Sequence, residues 1–176
     1  MAIDADAVFA ADWTLAADGV YERSAARLVI VDGAERVLLM SAADGDRRWW
    51  FTIGGGIDRG EHARAAAVRE TYEETGLRVE PEAVVGPIFR RVSTFAFLGR
   101  ECRQDELTFF ARVPNGAVVT MAGWTDLERA AMDGMQWWPL GELQRTDETV
   151  YPPDLGDWVA EVLDHGWDGS TPLLPR

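Results

Sequence analysis

The chain has 176 residues, 17 basic against 30 acidic, for a formal charge of −13, and it contains one cysteine. That length suits one domain with a sizeable core. The acidity argues against grip on a nucleic-acid polymer, which demands a basic stripe. No eighteen apolar residues run together, and the acidic start lacks the basic flank and apolar core of a signal peptide; with a lone cysteine, a cytoplasmic chain with no membrane partner is expected. All seventeen basic residues are arginine, so any side-chain clamp on an anion must be arginine too.

In chain order, residues 1–24 read as an Ala/Asp-rich extension. Leu28-Val29-Ile30-Val31 and Val37-Leu38-Leu39-Met40 are apolar runs around Gly33 and predict buried strands joined by a tight turn. Residues 49–53 predict a third strand, feeding straight into Gly54-Gly55-Gly56. From Glu61 onward good helix formers predict a helix that Gly76 ends. Ala65, Ala66, Ala67, Val68, Tyr72 and Leu77 give that helix an apolar side. Residues 84–113, broken at Gly99-Arg100, predict a long hairpin. A further strand at 135–140 and a short helix at 141–143 follow. Pro153-Asp154 introduces a helix with Leu155, Trp158, Val159, Val162 and Leu163 on one stripe. Residues 166–176 read as a loose tail. The expectation is one α/β domain over 25–165, a mixed β-sheet between helices.

Residues 55–77 read GGIDRGEHARAAAVRETYEETGL. On the predicted helix Glu70, Glu73 and Glu74 stand at i, i+3 and i+4, so three carboxylates share one face and repel. A rigid cluster of hard oxygen donors suits Mg²⁺ or Mn²⁺, which would relieve that repulsion. Glycines before the helix let backbone approach a metal or phosphate closely. Arg69, four residues before Glu73, is placed to orient the cluster, with Glu61 and Glu73 as its ion-pair partners.

Written as G-x5-E-x7-R-E-x-x-E-E-x-G-hydrophobic, this stretch resembles the Nudix box of the Nudix hydrolases, MutT-like enzymes. A chance match of its seven fixed positions has odds on the order of 10⁻⁵. The one departure is Thr71, where the family prefers an aliphatic residue. The resemblance implies a Nudix-type α/β/α sandwich. It implies a metal-dependent pyrophosphohydrolase that splits the phosphoanhydride of a nucleoside diphosphate linked to another moiety, using Mg²⁺ or Mn²⁺. By resemblance Gly55 lends a backbone oxygen to the metal, Glu70, Glu73 and Glu74 coordinate it, and Glu70 takes the proton of the attacking water. Arg69 and Glu61 orient them. A further acidic ligand from the loop between Pro114 and Met135 is expected from Asp126, Glu128 or Asp133. The implied partner is a small nucleotide pyrophosphate, and homodimers are common in the family.

Other residues carry two readings. Of the pairs Trp49-Trp50 and Trp137-Trp138, one member each should point inward and the other toward solvent or ligand; Trp50 and Arg48 stand as substrate-binding candidates. Arg47, Arg90, Arg91 and Arg103 are further candidates for a phosphate clamp, each with solvated surface as the alternative. His62 reads as a surface residue and Cys102 as an inert thiol. Two other function classes stand as alternatives: a non-catalytic Nudix-fold nucleotide sensor, which should have lost box carboxylates, and an isopentenyl-diphosphate-type isomerase, whose cysteine should precede the helix. Here the box carboxylates are present and Cys102 follows the helix, so both stand behind the hydrolase reading, the isomerase the further.

Overall fold

The computed structural model describes residues 4–175, the side chain of Asp12 apart. The first three residues of the expected extension and Arg176 of the expected tail lie outside the described residues. The strands form one nine-stranded mixed sheet. The long central strand β2 (Tyr21–Val31) follows a helix α1 (Ala5–Asp12) and a two-residue strand β1 (Thr14–Leu15). β3 (Arg36–Asp44), β4 (Arg47–Phe51) and β5 (Ile53–Gly56) lead into helix α2 (Ala63–Thr75). The hairpin β6 (Val85–Phe97) and β7 (Arg100–Arg112) follows, then α3 (Asp126–Ala131), β8 (Met132–Pro139), α4 (Leu140–Leu143), β9 (Thr149–Tyr151) and α5 (Leu155–His165). The main path runs β6-β7-β2-β3-β4-β9, with β1 and β5 paired to β2 and β8 to β3. β2 and β7 are parallel over eleven residue pairs, and β4 and β9 are parallel too.

β2 is covered on both faces, which is why its C-terminal half is apolar without alternation. Ala26, Leu28 and Ile30 face α2, in a cluster with Leu38, Met40, Ile53, Ala66, Ala67 and Phe109. Val29 and Val31 face the other way, with Val37, Leu39, Phe110, Trp138, Leu155 and Val159 beneath α4 and α5. Each fully buried Val, Leu, Ile or Met side chain here contributes about 1.5–3 kcal/mol. The architecture is a mixed sheet between helices, an α/β fold. Between β2 and β3, Asp32 closes the turn: Oδ1 accepts from Ala34 N (2.9 Å) and Arg36 N (3.0 Å), and Oδ2 from the Arg36 guanidinium.

The predicted strands and helices of residues 25–165 are present, and the ends differ from expectation. Helix α1 starts on an Asp4 cap, and its Phe9 packs with Trp13, Tyr21, Phe97 and Cys102. Strand parity puts this cluster on the α5 face, at the opposite end of β2. Near the C-terminus, Arg90 N donates to Pro172 O and Leu174 N to Arg90 O, so this segment pairs with β6, and Leu174 is buried. Tyr72, expected on the apolar side of α2, is 47% exposed with the Arg78 guanidinium over its ring. No described helix is long and apolar enough to cross a membrane.

Candidate active site

Helix α2 meets the sheet through Ala66, Ala67, Thr71, Glu74 and Thr75, all buried. Thr71 answers the departure in the motif: its hydroxyl donates to Ala67 O at 2.7 Å, so the side chain sits in the core without an orphan polar group. Gly76 ends the helix in the left-handed conformation, φ 71°. The loop after β7 seals the helix C-terminus. Thr120 N donates to Thr75 O (2.9 Å), and the Trp124 indole N–H donates to Glu74 O (2.8 Å), satisfying carbonyls that the helix leaves unpaired.

The glycine loop lies against the carboxylate face of α2. A Cβ on Gly55 would stand 2.7 Å from the Glu70 carboxyl carbon, so only glycine permits this approach. A Cβ on Gly54, φ +133°, would collide with the Ala26 carbonyl oxygen, and the Gly54 N–H donates to Glu74 Oε2 at 2.8 Å. Arg69 gathers the cluster. Its Nε and Nη2 donate to the two Glu61 oxygens (3.0 and 2.9 Å), Nη1 donates to Glu70 Oε1 (2.8 Å) and Glu73 Oε2 (3.0 Å), and Nη2 also reaches Gly56 O (3.0 Å). One guanidinium thus ties the helix, the loop and Glu61 together.

The carboxylates are unequal. Burial pushes Glu74 up to about 8, against the Gly54 N–H, with Glu70 repulsion adding to the rise. Burial also raises Glu70, opposed by Arg69. Glu61 lies below the ordinary range because Arg69 holds its ionised form. Glu73 is the outward member, with half its side chain exposed. Of the three downstream acids, Glu128 is the one whose charge raises both Glu70 and Glu74. It sits in a capping box at the start of α3, accepting from Thr125 N (2.6 Å) and Thr125 Oγ1 (2.8 Å). Asp133 instead pairs with Arg48 at 3.3 Å, and Asp126 is exposed in the first turn of α3.

All donors brought together are hard oxygens, the type Mg²⁺ or Mn²⁺ takes. The Gly55 backbone and two partly neutralised, mutually repelling carboxylates fit a hard cation by chemistry. Among the described residues no three His, Cys, Asp or Glu side chains are grouped to hold a metal ion, so backbone oxygen and water would supply the rest of the shell.

Trp50 is a correction. It is 8% exposed and packs edge-on against Trp138 (5.1 Å) in the cluster beneath α5, closed off from a substrate. Its strand neighbour Trp49 is the open member of the pair and lines a cavity of about 750 Å³ with Arg48 and Tyr151. His62 is exposed as expected. Cys102 is buried inside β7, where burial raises its thiol.

Sequence reading missed Arg27 and Glu106. On the α5 face, Arg27 Nε donates to Glu106, while its Nη1 reaches Thr52 O (2.8 Å) and Gly54 O (3.3 Å). Glu106 also accepts from Ser93 Oγ at 2.8 Å. Burial acts to raise Glu106, but Arg27, with Ser93 and Arg91, outweighs it and the carboxyl stays below its ordinary range. The available signal was parity: Arg27 shares a face with Val29 and Val31, and Glu106 with Phe110. A charge at an inward strand position requires a partner.

Residues 21–159 match the NUDIX domain. Over 63 residues the chain is 43% identical to an RNA pyrophosphohydrolase of Dinoroseobacter shibae, a stretch covering 36% of this chain and 39% of that protein. Over 54 residues it is 41% identical to an RNA pyrophosphohydrolase of Brucella anthropi, covering 31% and 27%. The matches span no more than two fifths of these curated relatives. A MutT protein from Bacillus halodurans superposes with a TM-score of 0.57 at 19% identity, over 85% of this chain and 86% of that one. An Ap4A hydrolase from C. elegans superposes with 0.53 at 20%, over 81% and 96%. These structural likenesses speak for the fold, and the domain match encloses the glycine loop, the clamped carboxylates of α2 and most of the sheet. The chain belongs to the NUDIX family.

Proposed function

We propose that this protein is a pyrophosphohydrolase that cleaves the phosphoanhydride bond of a nucleoside diphosphate linked to another moiety. The observation that carries this reading is the Gly55 backbone packed on Glu70, beside the buried Glu74, with both on the helix that Arg69 clamps. NUDIX enzymes generally use divalent cations, and here Gly55, Glu70 and Glu74 would hold Mg²⁺ or Mn²⁺, with the outward Glu73 reaching the ion through water. Such a cation, when bound, offsets carboxylate repulsion, draws charge from the diphosphate and makes a water more acidic. Glu70, within reach of the loop and raised by burial, takes the water's proton. Arg69 and Glu61 fix the carboxylates against the loop, so little reorganisation is needed at the moment of attack. Glu128 adds negative charge to the same site from α3.

The RNA pyrophosphohydrolase relatives make a 5′-triphosphate RNA end a second substrate to test. The chain's net charge of −13 favours a small nucleotide. The sensor alternative predicts binding without turnover, and the retained Glu70, Glu73 and Glu74 weigh against it. The deciding experiment measures phosphate-product release from nucleoside triphosphates, ADP-ribose, nucleotide sugars, dinucleoside polyphosphates and 5′-triphosphate RNA, with Mg²⁺ or Mn²⁺ and with EDTA. Metal-dependent cleavage of one class supports the reading. Nucleotide binding with no turnover across the panel replaces it with the sensor.

A further inference from the structure

The arginines around the sheet differ in how they are neutralised. Arg90 forms a two-pronged pair with Asp105 (2.7 and 2.5 Å), Arg103 is shared by Asp18 and Glu22, and Arg48 faces Asp133. Arg91 is held more loosely. Its Nε is buried and has no hydrogen-bond partner among the described residues. Its Nη1 approaches Glu106 Oε1 only to 4.0 Å, although just 13% of the side chain is exposed. A buried guanidinium N–H without an acceptor is unfavourable, and Arg91 keeps donor capacity that its protein partners do not use.

Contacts connect Arg91, through Glu106 and Arg27, to the backbone of the glycine loop. Its strand partner is Glu106, which Arg27 holds while also reaching the carbonyls of Thr52 and Gly54. Two arginines flank this single buried carboxylate, leaving local positive charge in a strongly acidic chain. The Arg91 guanidinium lies over the Tyr151 ring, 5.3 Å from its centroid. Tyr151 pairs with Phe51, the residue before Thr52. Tyr151 is nevertheless 38% exposed, and with Trp49 it borders the cavity of about 750 Å³. Strand register puts Trp49, Phe51 and Tyr151 on one face. A loosely paired guanidinium, an open aromatic ring and a space therefore adjoin one another, with Arg27 linking Glu106 to the glycine loop.

We propose that Arg91 and Tyr151 form a nucleotide subsite: the Arg91 guanidinium donates to a phosphate oxygen of a nucleoside diphosphate, and the open side of the Tyr151 ring, with Trp49 beyond it, takes the base. Guanidinium suits phosphate through paired N–H donors, and any base offers a face for aromatic stacking. This inference rests on the hydrolase reading for its ligand class, and its test does not require turnover.

The test is equilibrium binding of a fluorescent nucleoside diphosphate, and of the matching nucleoside, to the full chain and to Arg91→Met, Arg91→Lys, Tyr151→Leu, Tyr151→Phe and Arg90→Met. Arg91→Met should weaken the diphosphate at least tenfold and the nucleoside under threefold, with Arg91→Lys intermediate. Tyr151→Leu should weaken both about tenfold, while Tyr151→Phe and Arg90→Met retain parental affinity. On a cleaved substrate Arg91→Lys should raise KM more than it lowers kcat, which serves if Arg91→Met fails to fold. Equal diphosphate affinity in the parent, Arg91→Lys and Tyr151→Leu, or no binding by the parent, overturns the subsite. Parental hydrolysis with KM unchanged in Arg91→Lys removes the subsite alone. Arg91-dependent binding without hydrolysis removes the hydrolase reading alone.

Discussion

Arg27 and Glu74 hold opposite ends of the same residue: Glu74 accepts the Gly54 N–H from the helix side, and Arg27 donates to the Gly54 carbonyl from the other face of the sheet. The loop that carries Gly55 is therefore fixed from both sides. Removing Arg27 or Glu106 alone leaves a buried charge without its counterpart, so Arg27→Met or Glu106→Leu should lose about 3–5 kcal/mol in urea unfolding. The double variant Arg27→Met/Glu106→Leu should recover most of that stability. It should not recover kcat, since the Thr52 and Gly54 carbonyls still lack their donor. Recovery of both would show that the pair serves the fold alone.

Gly55→Ala tests the close approach of loop to carboxylate. The added methyl would stand against the Glu70 carboxyl carbon, and the backbone there has no positive φ that alanine would resist. The expected result is a melting temperature within a few degrees of the parent and a fall in kcat of about 100-fold or more. Parental turnover would show that Glu70 can move away at no functional cost.

Arg69→Ala removes the donor shared by Glu61, Glu70, Glu73 and Gly56. We expect a kcat loss of about 10- to 100-fold, accompanied by weaker metal binding in calorimetry. Arg69→Lys, which cannot span four acceptors, should fall between. Full activity in Arg69→Ala would remove its orienting role.

Glu74→Gln keeps an oxygen for the Gly54 N–H and deletes a buried charge. With the folded carboxyl raised to about 8, the folded protein binds a proton that the unfolded chain releases between the ordinary carboxylate range and about pH 8. Parental stability therefore falls as pH rises through that window. Without added metal, Glu74→Gln should melt higher than the parent, by more at pH 9 than at pH 5, while losing most hydrolysis. A pH-independent difference would show that the charge is relieved by other means.

Asp32 should behave with the opposite sign. Burial alone would raise it, yet the Arg36 side chain and the two backbone N–H donors outweigh that and hold the carboxyl below its ordinary value. Its stabilising contribution is present above the unfolded carboxylate range and is lost as pH falls through the lower, folded value. Asp32→Asn should cost about 1–3 kcal/mol at pH 7. The gap from the parent should narrow in acid, followed by urea unfolding from pH 7 to pH 3.

The chain by itself determined the elements whose residues are neighbours in sequence. Helix α2 with its carboxylate face, the strand that feeds the glycines and the apolar stripe of α5 follow from periodicity and spacing, because the contacts that define them lie within one or two helical turns. Its close match to a known motif extended that reading to the family. Tertiary structure decided what depends on partners far along the chain. Which tryptophan of the pair at 49 and 50 is open follows from Trp138 packing on Trp50. Glu128 stands apart from Asp126 and Asp133 because α3 brings its charge to Glu70 and Glu74. Arg27 and Glu106 meet only because β2 and β7 lie parallel, 79 residues apart in sequence. A charged side chain in a strand shows that some partner must exist, but strand pairing alone selects which one, since a buried charge is stabilised by whatever opposite charge the fold sets within a few ångströms.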